Sequence, residues 1–160
     1  MTLGDIFNTQ GLKKRKYTMK ADTDAVRGKL YCDDGSGGGL VLATAALAVA
    51  NKVVMAYENH DYSESSEHEV DCVEQGYVEA AKVSGSGASA QGNKLMLSAT
   101  AGEVTKFSAG DAPAGGASTY YTTTIEDGVQ AALNANAGAV GYAVAASLDA
   151  EVTQKMWLGP

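Results

Sequence analysis

One glycine-rich stretch resembles a phosphate-binding loop. In "GASAQGNKL", Gly87 and Gly92 lie five residues apart and Lys94 follows closely. The nucleotide-binding pattern G-x-x-x-x-G-K-[ST] places the lysine directly after the second glycine and a hydroxyl after that, where they meet phosphate and magnesium. Here Asn93 intervenes and Leu95 takes the place of the hydroxyl. We therefore predict a turn at this stretch and no bound nucleotide.

A second stretch, "ENHDYSESSEHEVD", carries two histidines among several carboxylates. His60 and His68, together with one carboxylate, are ligands that zinc accepts. Their spacing matches neither H-E-x-x-H nor an EF-hand loop. An acidic, serine-rich segment of this kind is typical of a solvated loop. We expect no metal and no cofactor here, and a zinc site is the alternative.

Other catalytic signatures are absent from the sequence. It has no G-x-S-x-G elbow and no recognisable Cys–His motif. Cys32 and Cys72 are too far apart along the chain for a metal knuckle, and two cysteines do not make a disulfide framework. We expect buried free thiols at both positions. These observations predict a protein that is not an enzyme.

Charge is distributed unevenly along the chain. Residues 1–20 carry a net charge of +4, whereas the remaining residues carry −11. Most of the surface should therefore repel nucleic acid, and we expect no nucleic-acid partner. A basic N-terminal arm, residues 1–20, precedes an acidic body, residues 21–160. The arm is suited to an acidic protein surface or to a neighbouring subunit.

The length of 160 residues suits one domain. The longest apolar run, "LVLATAALAVA", has 11 residues, whereas a membrane-spanning helix needs about 20. The first 16 residues contain no apolar stretch of the kind found in secretory signals. We expect no membrane partner.

Short apolar or alternating segments, separated by glycine-rich turns, predict a sheet of many short strands. We predict a turn at "DDGSGGG", an irregular alanine-rich link after Leu40, and Gly76 as a bulge or tight bend. The predicted strands lie at residues 26–32, near Leu40, at 52–58, 70–74 and 76–83, in a hairpin over 93–107, and at 139–145 and 151–158.

One helix is predicted, at residues 125–134. Thr124 and Asp127 resemble a capping box and Gly138 can end the helix. The helix lies in an insertion at about residues 108–138. The predicted fold class is all-β: a small, mostly antiparallel β-barrel with one short inserted helix and an extended N-terminal arm.

The order of these strand motifs resembles a known family. "NKVVMAYENHD", "CVEQGYVEAAKVSG", "GNKLMLSATAGEVTKF" and "AVGYAVAASLDAEVTQKMWL" resemble the small β-barrel capsid decoration, or cement, proteins of tailed viruses such as bacteriophages. The resemblance covers roughly residues 26–158. It implies a structural virion protein on the capsid surface, assembled in the host cytoplasm, with the major capsid protein as partner. It also implies a homotrimer, with a dimer or a monomer as alternatives.

The arm is the predicted anchor to the capsid. Its cations can approach an acidic surface and its extended chain can add to an exposed strand there. In the free protein we expect the arm to be disordered, because it buries little apolar surface. The predicted capsid-binding residues are Leu12, Lys13, Lys14, Arg15, Lys16 and Tyr17. The alternative function is a carbohydrate- or ligand-binding module of a virion tail or cell surface, with Tyr120 and Tyr121 on its recognition face.

Overall fold

A computed structural model describes residues 2–48, 51–64, 67–107 and 139–159. These residues form nine strands and one four-residue helix. The elements are β1 Ile6–Thr18, β2 Leu30–Asp33, β3 Leu40–Leu42, α1 Ala45–Ala48, β4 Val54–Ala56, β5 Glu69–Ala81, β6 Lys94–Leu97, β7 Val104–Lys106, β8 Ala139–Ala143 and β9 Thr153–Leu158.

All nine strands belong to one curled sheet. Its order is β3-β2-β4-β5-β9-β8-β6-β7, and β1 pairs with β5. Every pairing between named strands is antiparallel. The predicted all-β, mostly antiparallel class is therefore confirmed, with the sheet curled into a half-barrel.

β5 is the central element of the sheet. One edge pairs with β1 along most of its length, whereas the other edge pairs first with β4 and then with β9. The two strands predicted at 70–74 and 76–83 are thus a single strand. Gly76 has a φ of +146° and lies within it, opposite Leu158 of β9.

The concave face of the sheet encloses the larger core. Alternate residues of β9 show the expected pattern, since Gln154, Met156 and Leu158 are buried while their neighbours are partly exposed. The buried cluster comprises Leu30, Cys32, Ala43, Met55, Val73, Val78, Ala80, Leu95, Leu97, Val104, Val140, Ala143, Met156 and Leu158.

A second core covers the opposite face of β2, β4 and β5. Its buried members are Met19, Ala25, Tyr31, Leu40, Val54, Ala56, Val70 and Cys72. These three strands are therefore buried on both faces. Cys32 belongs to the first core and Cys72 to the second, and both are buried free thiols, as predicted.

A buried lysine holds the turn between β8 and β9. Lys82 is 3% exposed, and its ammonium donates to the carbonyls of Leu148, Asp149 and Glu151 at 3.0, 3.3 and 3.4 Å. These carbonyls replace the water that a lysine normally requires. Asp149 and Ala150 form the turn, which lies between the two strands predicted at 139–145 and 151–158.

Other predictions differ in detail from the structure. The alanine-rich link after β3 contains the short helix α1, because alanine is the strongest helix former. The predicted helix at 125–134 lies outside the described residues, as do the whole insertion at 108–138 and the tyrosines at 120 and 121. No helix in the described ranges is long and apolar enough to cross a membrane.

Candidate docking surface

Strand β1 makes up most of the predicted basic arm, residues 1–20. Thirteen residues, Ile6–Thr18, pair antiparallel with β5. The prediction that this segment is disordered in the free protein is therefore wrong for these residues. Backbone hydrogen bonds to β5 stabilise the strand. Its side chains contribute little to that stability, because most of them are exposed and bury little apolar area.

The backbone groups of β1 alternate in direction, and two backbone hydrogen bonds near the start of β5 show which residues face which neighbour. The Tyr57 amide donates to the Asp71 carbonyl at 2.9 Å, so Asp71 faces β4. Its neighbours Val70 and Cys72 therefore face β1. The Met19 amide donates to the His68 carbonyl at 2.8 Å, which agrees with this alternation.

The register then assigns each residue of the basic run. Arg15 lies opposite Cys72, so its amide and carbonyl face β5. Lys14 and Lys16 lie opposite Val73 and Asp71, and their backbone groups face away from β5. Among the described residues no strand pairs with the outer edge at Lys14 or Lys16, whereas just beyond β1 the Lys20 amide donates to the Leu40 carbonyl of β3 at 3.0 Å.

The cationic side chains cover both faces of this edge. Lys13, Arg15 and Lys16 are exposed. Lys14 is exposed too, yet its Nζ lies 3.5 Å from the centre of the Tyr57 ring, a distance typical of a cation–π contact. Three cations are thus in solvent and one is oriented by an aromatic ring.

A polar contact fastens the end of β1 to β5. The Tyr17 hydroxyl donates to Glu74 Oε1 at 2.5 Å, and Lys52 Nζ lies 2.7 Å from Glu74 Oε2. Burial and the adjacent carboxylate raise the pKa of Tyr17 to about 12. The hydrogen bonds from Lys52 and Tyr17 lower the pKa of Glu74. At neutral pH the tyrosine is therefore neutral and the carboxylate is charged.

A bulge in the middle of β1 gives the strand a second fastening. The register shifts between Asn8 and Lys13, and the loop so formed lies on the outer face of the sheet. Gly11 has a φ of +70°, and a Cβ there would lie 2.9 Å from Cη2 of Trp157. Leu12 is partly buried against the first core and lies next to Gly76.

All six predicted anchor residues are therefore in one strand, but they do not act alike. Lys13, Lys14, Arg15 and Lys16 face solvent, whereas Leu12 and Tyr17 hold β1 to its own sheet. The contacts of Lys14 with Tyr57 and of Tyr17 with Glu74 were not predicted. Nothing in the sequence around Tyr57 or Glu74 indicates a contact with a residue about 40–60 positions away in the chain.

The glycine-rich stretch "GASAQGNKL" and the acidic stretch "ENHDYSESSEHEVD" differ in whether the structure brings their candidate residues together. In the glycine-rich loop the Gly87 amide donates to the Asp149 carboxylate at 2.5 Å, and Lys94 Nζ lies 4.9 Å from the Phe107 ring centre. These polar groups of the loop thus contact other residues of the same chain. In the acidic loop His60 and His68 come together, with Nε2 and Nδ1 3.3 Å apart. Within the described ranges no group of three or more His, Cys, Asp or Glu side chains could hold a metal ion.

No protein-family profile, curated protein or solved structure matches this chain. Function is therefore inferred from the surface of the chain itself and from the order of its sequence motifs.

Proposed function

We propose that this chain is a structural virion protein that binds the outer surface of an icosahedral capsid and stabilises it by bridging capsomers. The observation that carries the proposal is the outer edge of β1. It combines backbone groups with which no described strand pairs and four consecutive cations, on a molecule whose remaining residues carry a net charge of −11.

Such an edge favours an acidic protein partner with an exposed strand. Backbone hydrogen bonds along an added strand provide affinity, and the charges provide steering and register. Lysines on a free edge also discourage pairing between identical copies, because like charges would then meet. An acidic partner removes that penalty, so the same residues exclude self-pairing and favour the capsid.

The capsid enters as partner through the resemblance of the strand motifs to decoration proteins. A protein that binds the assembled shell more tightly than the free subunits shifts the equilibrium toward the shell. At a ligand concentration about 100 times the Kd, the gain is about 2.7 kcal/mol per site. The proposed state on the shell is a trimer, and no chemical reaction is involved.

A matched pair of double variants tests this function. Lys13→Ala with Lys16→Ala removes two cations from the β1 edge, whereas Lys106→Ala with Lys155→Ala removes the same charge from β7 and β9. Each is sedimented with empty capsids of the proposed virus, at low and high salt. We expect the first variant alone to lose most of its low-salt binding. Equal binding by both variants would contradict the proposal.

One observation favours the alternative, a carbohydrate-binding module. Aromatic side chains form a row across four strands on the outer face of the sheet. Tyr77 and Tyr142 lie opposite Trp157 on either side, and Phe7 lies 5.8 Å from Tyr77 between ring centres. Quenching or enhancement of the fluorescence of Trp157 by a bacterial surface polysaccharide, weakened in Tyr142→Ala, would support this second function.

A further inference from the structure

We propose that His60 and His68 form a binding site for one divalent transition-metal ion, with Zn²⁺ as the representative ion. Nε2 of His60 lies 3.3 Å from Nδ1 of His68, and the two rings are nearly perpendicular, with an interplanar angle of 73°. The site is independent of the docking surface and of the proposed function.

The separation of the two nitrogens matches chelation. Two Zn–N bonds of about 2.0–2.1 Å at a tetrahedral angle place the nitrogens about 3.3–3.4 Å apart. Without an ion, the same distance permits a hydrogen bond between the two rings. An ion bound between the imidazoles would replace that hydrogen bond with two metal–nitrogen bonds.

Both histidines are positioned by contacts that involve no metal. The backbone of His60 exchanges two hydrogen bonds with Ala25, at 2.8 and 2.9 Å. The carbonyl of His68 accepts from Met19 at 2.8 Å. The His68 ring also stacks on Tyr62, with centroids 3.7 Å apart and planes within 13°.

The stacking residue is itself fixed. The Tyr62 amide donates to Asp24 Oδ1 at 2.8 Å, and its side chain packs against the second core. Little ordering is therefore needed when an ion binds, which favours affinity.

The ligand types determine the class of ion. Imidazole nitrogens suit Zn²⁺, Ni²⁺ and Cu²⁺, whereas Mg²⁺ and Ca²⁺ prefer oxygen ligands. Asp61 follows His60 in the chain, but its Oδ1 accepts hydrogen bonds from the Ser63 amide and hydroxyl at 2.9 and 2.7 Å. Two protein ligands leave further coordination positions for water or for a donor from a partner. Such a site adds stability on binding but is not needed for folding.

Titration of the full chain with ZnCl₂ in a calorimeter tests the site, with MgCl₂ as the control ion. The isosteric variants His60→Gln and His68→Asn place an amide nitrogen near each ligand position, so they preserve packing but cannot bind zinc through imidazole. We expect saturable 1:1 binding of Zn²⁺ and at least a tenfold loss of affinity in either variant. Replacing a residue that only hydrogen-bonds to a metal ligand already lowers metal affinity by about 10–100-fold. Circular dichroism without zinc checks that both variants fold.

Nitrogen-15 NMR of the wild-type chain gives a second readout that does not depend on the variants. Zinc should shift Nε2 of His60 and Nδ1 of His68, and leave the other nitrogen of each ring protonated. The proposal is overturned if zinc does not bind, if binding is unchanged in both variants, if the opposite nitrogens respond, or if Mg²⁺ binds equally well.

Discussion

Replacing Tyr17 with phenylalanine removes only the hydroxyl that ties the end of β1 to Glu74. The O–O distance in this contact is 2.5 Å. The Glu74 side chain is only 13% exposed and keeps its ion pair with Lys52 in the variant. The perturbation therefore weakens one fastening of β1 and leaves the rest of the sheet unchanged.

The magnitude follows from the type of bond. A hydrogen bond to a charged group contributes about 1.5–3 kcal/mol, and partial exposure of Tyr17 lowers this to about 1–2 kcal/mol. A loss of that size increases the population of the detached strand about 5–30-fold. Global stability should change less, because local opening of an edge strand need not involve the core.

Amide hydrogen exchange at pH 7 measures this opening residue by residue. In the wild type the Arg15 and Tyr17 amides, which face β5, should exchange slowly, whereas those of Lys14 and Lys16 should exchange fast. In Tyr17→Phe the first two should exchange about 5–30-fold faster. The control Tyr142→Phe on β8 should leave all four rates unchanged. Slow exchange at Lys16 in the wild type would refute the assigned strand direction, and unchanged rates in Tyr17→Phe would refute the fastening.

Three further predictions concern the core, acid and the thiols. Met156→Ala should lower the free energy of unfolding by about 2–5 kcal/mol, because the Met156 side chain is fully buried. Lys155→Ala, on the other face of β9, should change it by less than about 0.5 kcal/mol. Urea unfolding followed by the fluorescence of the single tryptophan measures both values, and similar losses would contradict the core assignment. The pKa of Glu74 is lowered, so its contribution to stability is complete above its ordinary pKa of about 4.5 and disappears as the pH falls through the lowered value. The protection factors of the β1 amides, which are the intrinsic exchange rates divided by the observed ones, should therefore fall below about pH 4.5, and Glu74→Gln should remove that dependence; the same acid response in the variant would count against it. Burial raises the pKa of the Cys72 thiol to about 12 and also raises the pKa of the Cys32 thiol. A thiol reagent at pH 8 should therefore label neither cysteine until the protein unfolds. Rapid labelling of the native chain would show that the thiols are accessible.

The sequence predicts best those strands that have one buried face and a local partner. β6 and β7 form the hairpin predicted by the alternating residues of "NKLMLSATAGEVTKF". β9 likewise lies within the strand predicted at 151–158. In these elements side-chain period and turn position carry the information, and both can be recognised in a short window.

β1 was not predicted as a strand, because its partner residues lie 51 to 72 positions away in the chain and its own side chains are mostly exposed. An edge strand of this kind buries no continuous face, so hydrophobic periodicity is absent. The two histidines entered the sequence analysis only as the alternative to a solvated loop, for a related reason. Nothing in the spacing of His60 and His68 shows that backbone contacts to Ala25 and Met19 bring the two rings together.

Strand addition at the β1 edge is tested most directly by comparing Lys16→Pro with Lys16→Ala in capsid sedimentation. Both variants remove the same charge, but only proline removes an outward-facing amide, and an edge position tolerates it. Arg15→Pro serves as the contrast, since it removes an amide that faces β5 and should weaken β1 itself. We predict that Lys16→Pro keeps the melting temperature of Lys16→Ala and binds empty capsids at least about tenfold more weakly, because an acceptor on the capsid strand loses its donor. Equal binding by the two Lys16 variants would contradict strand addition at this edge.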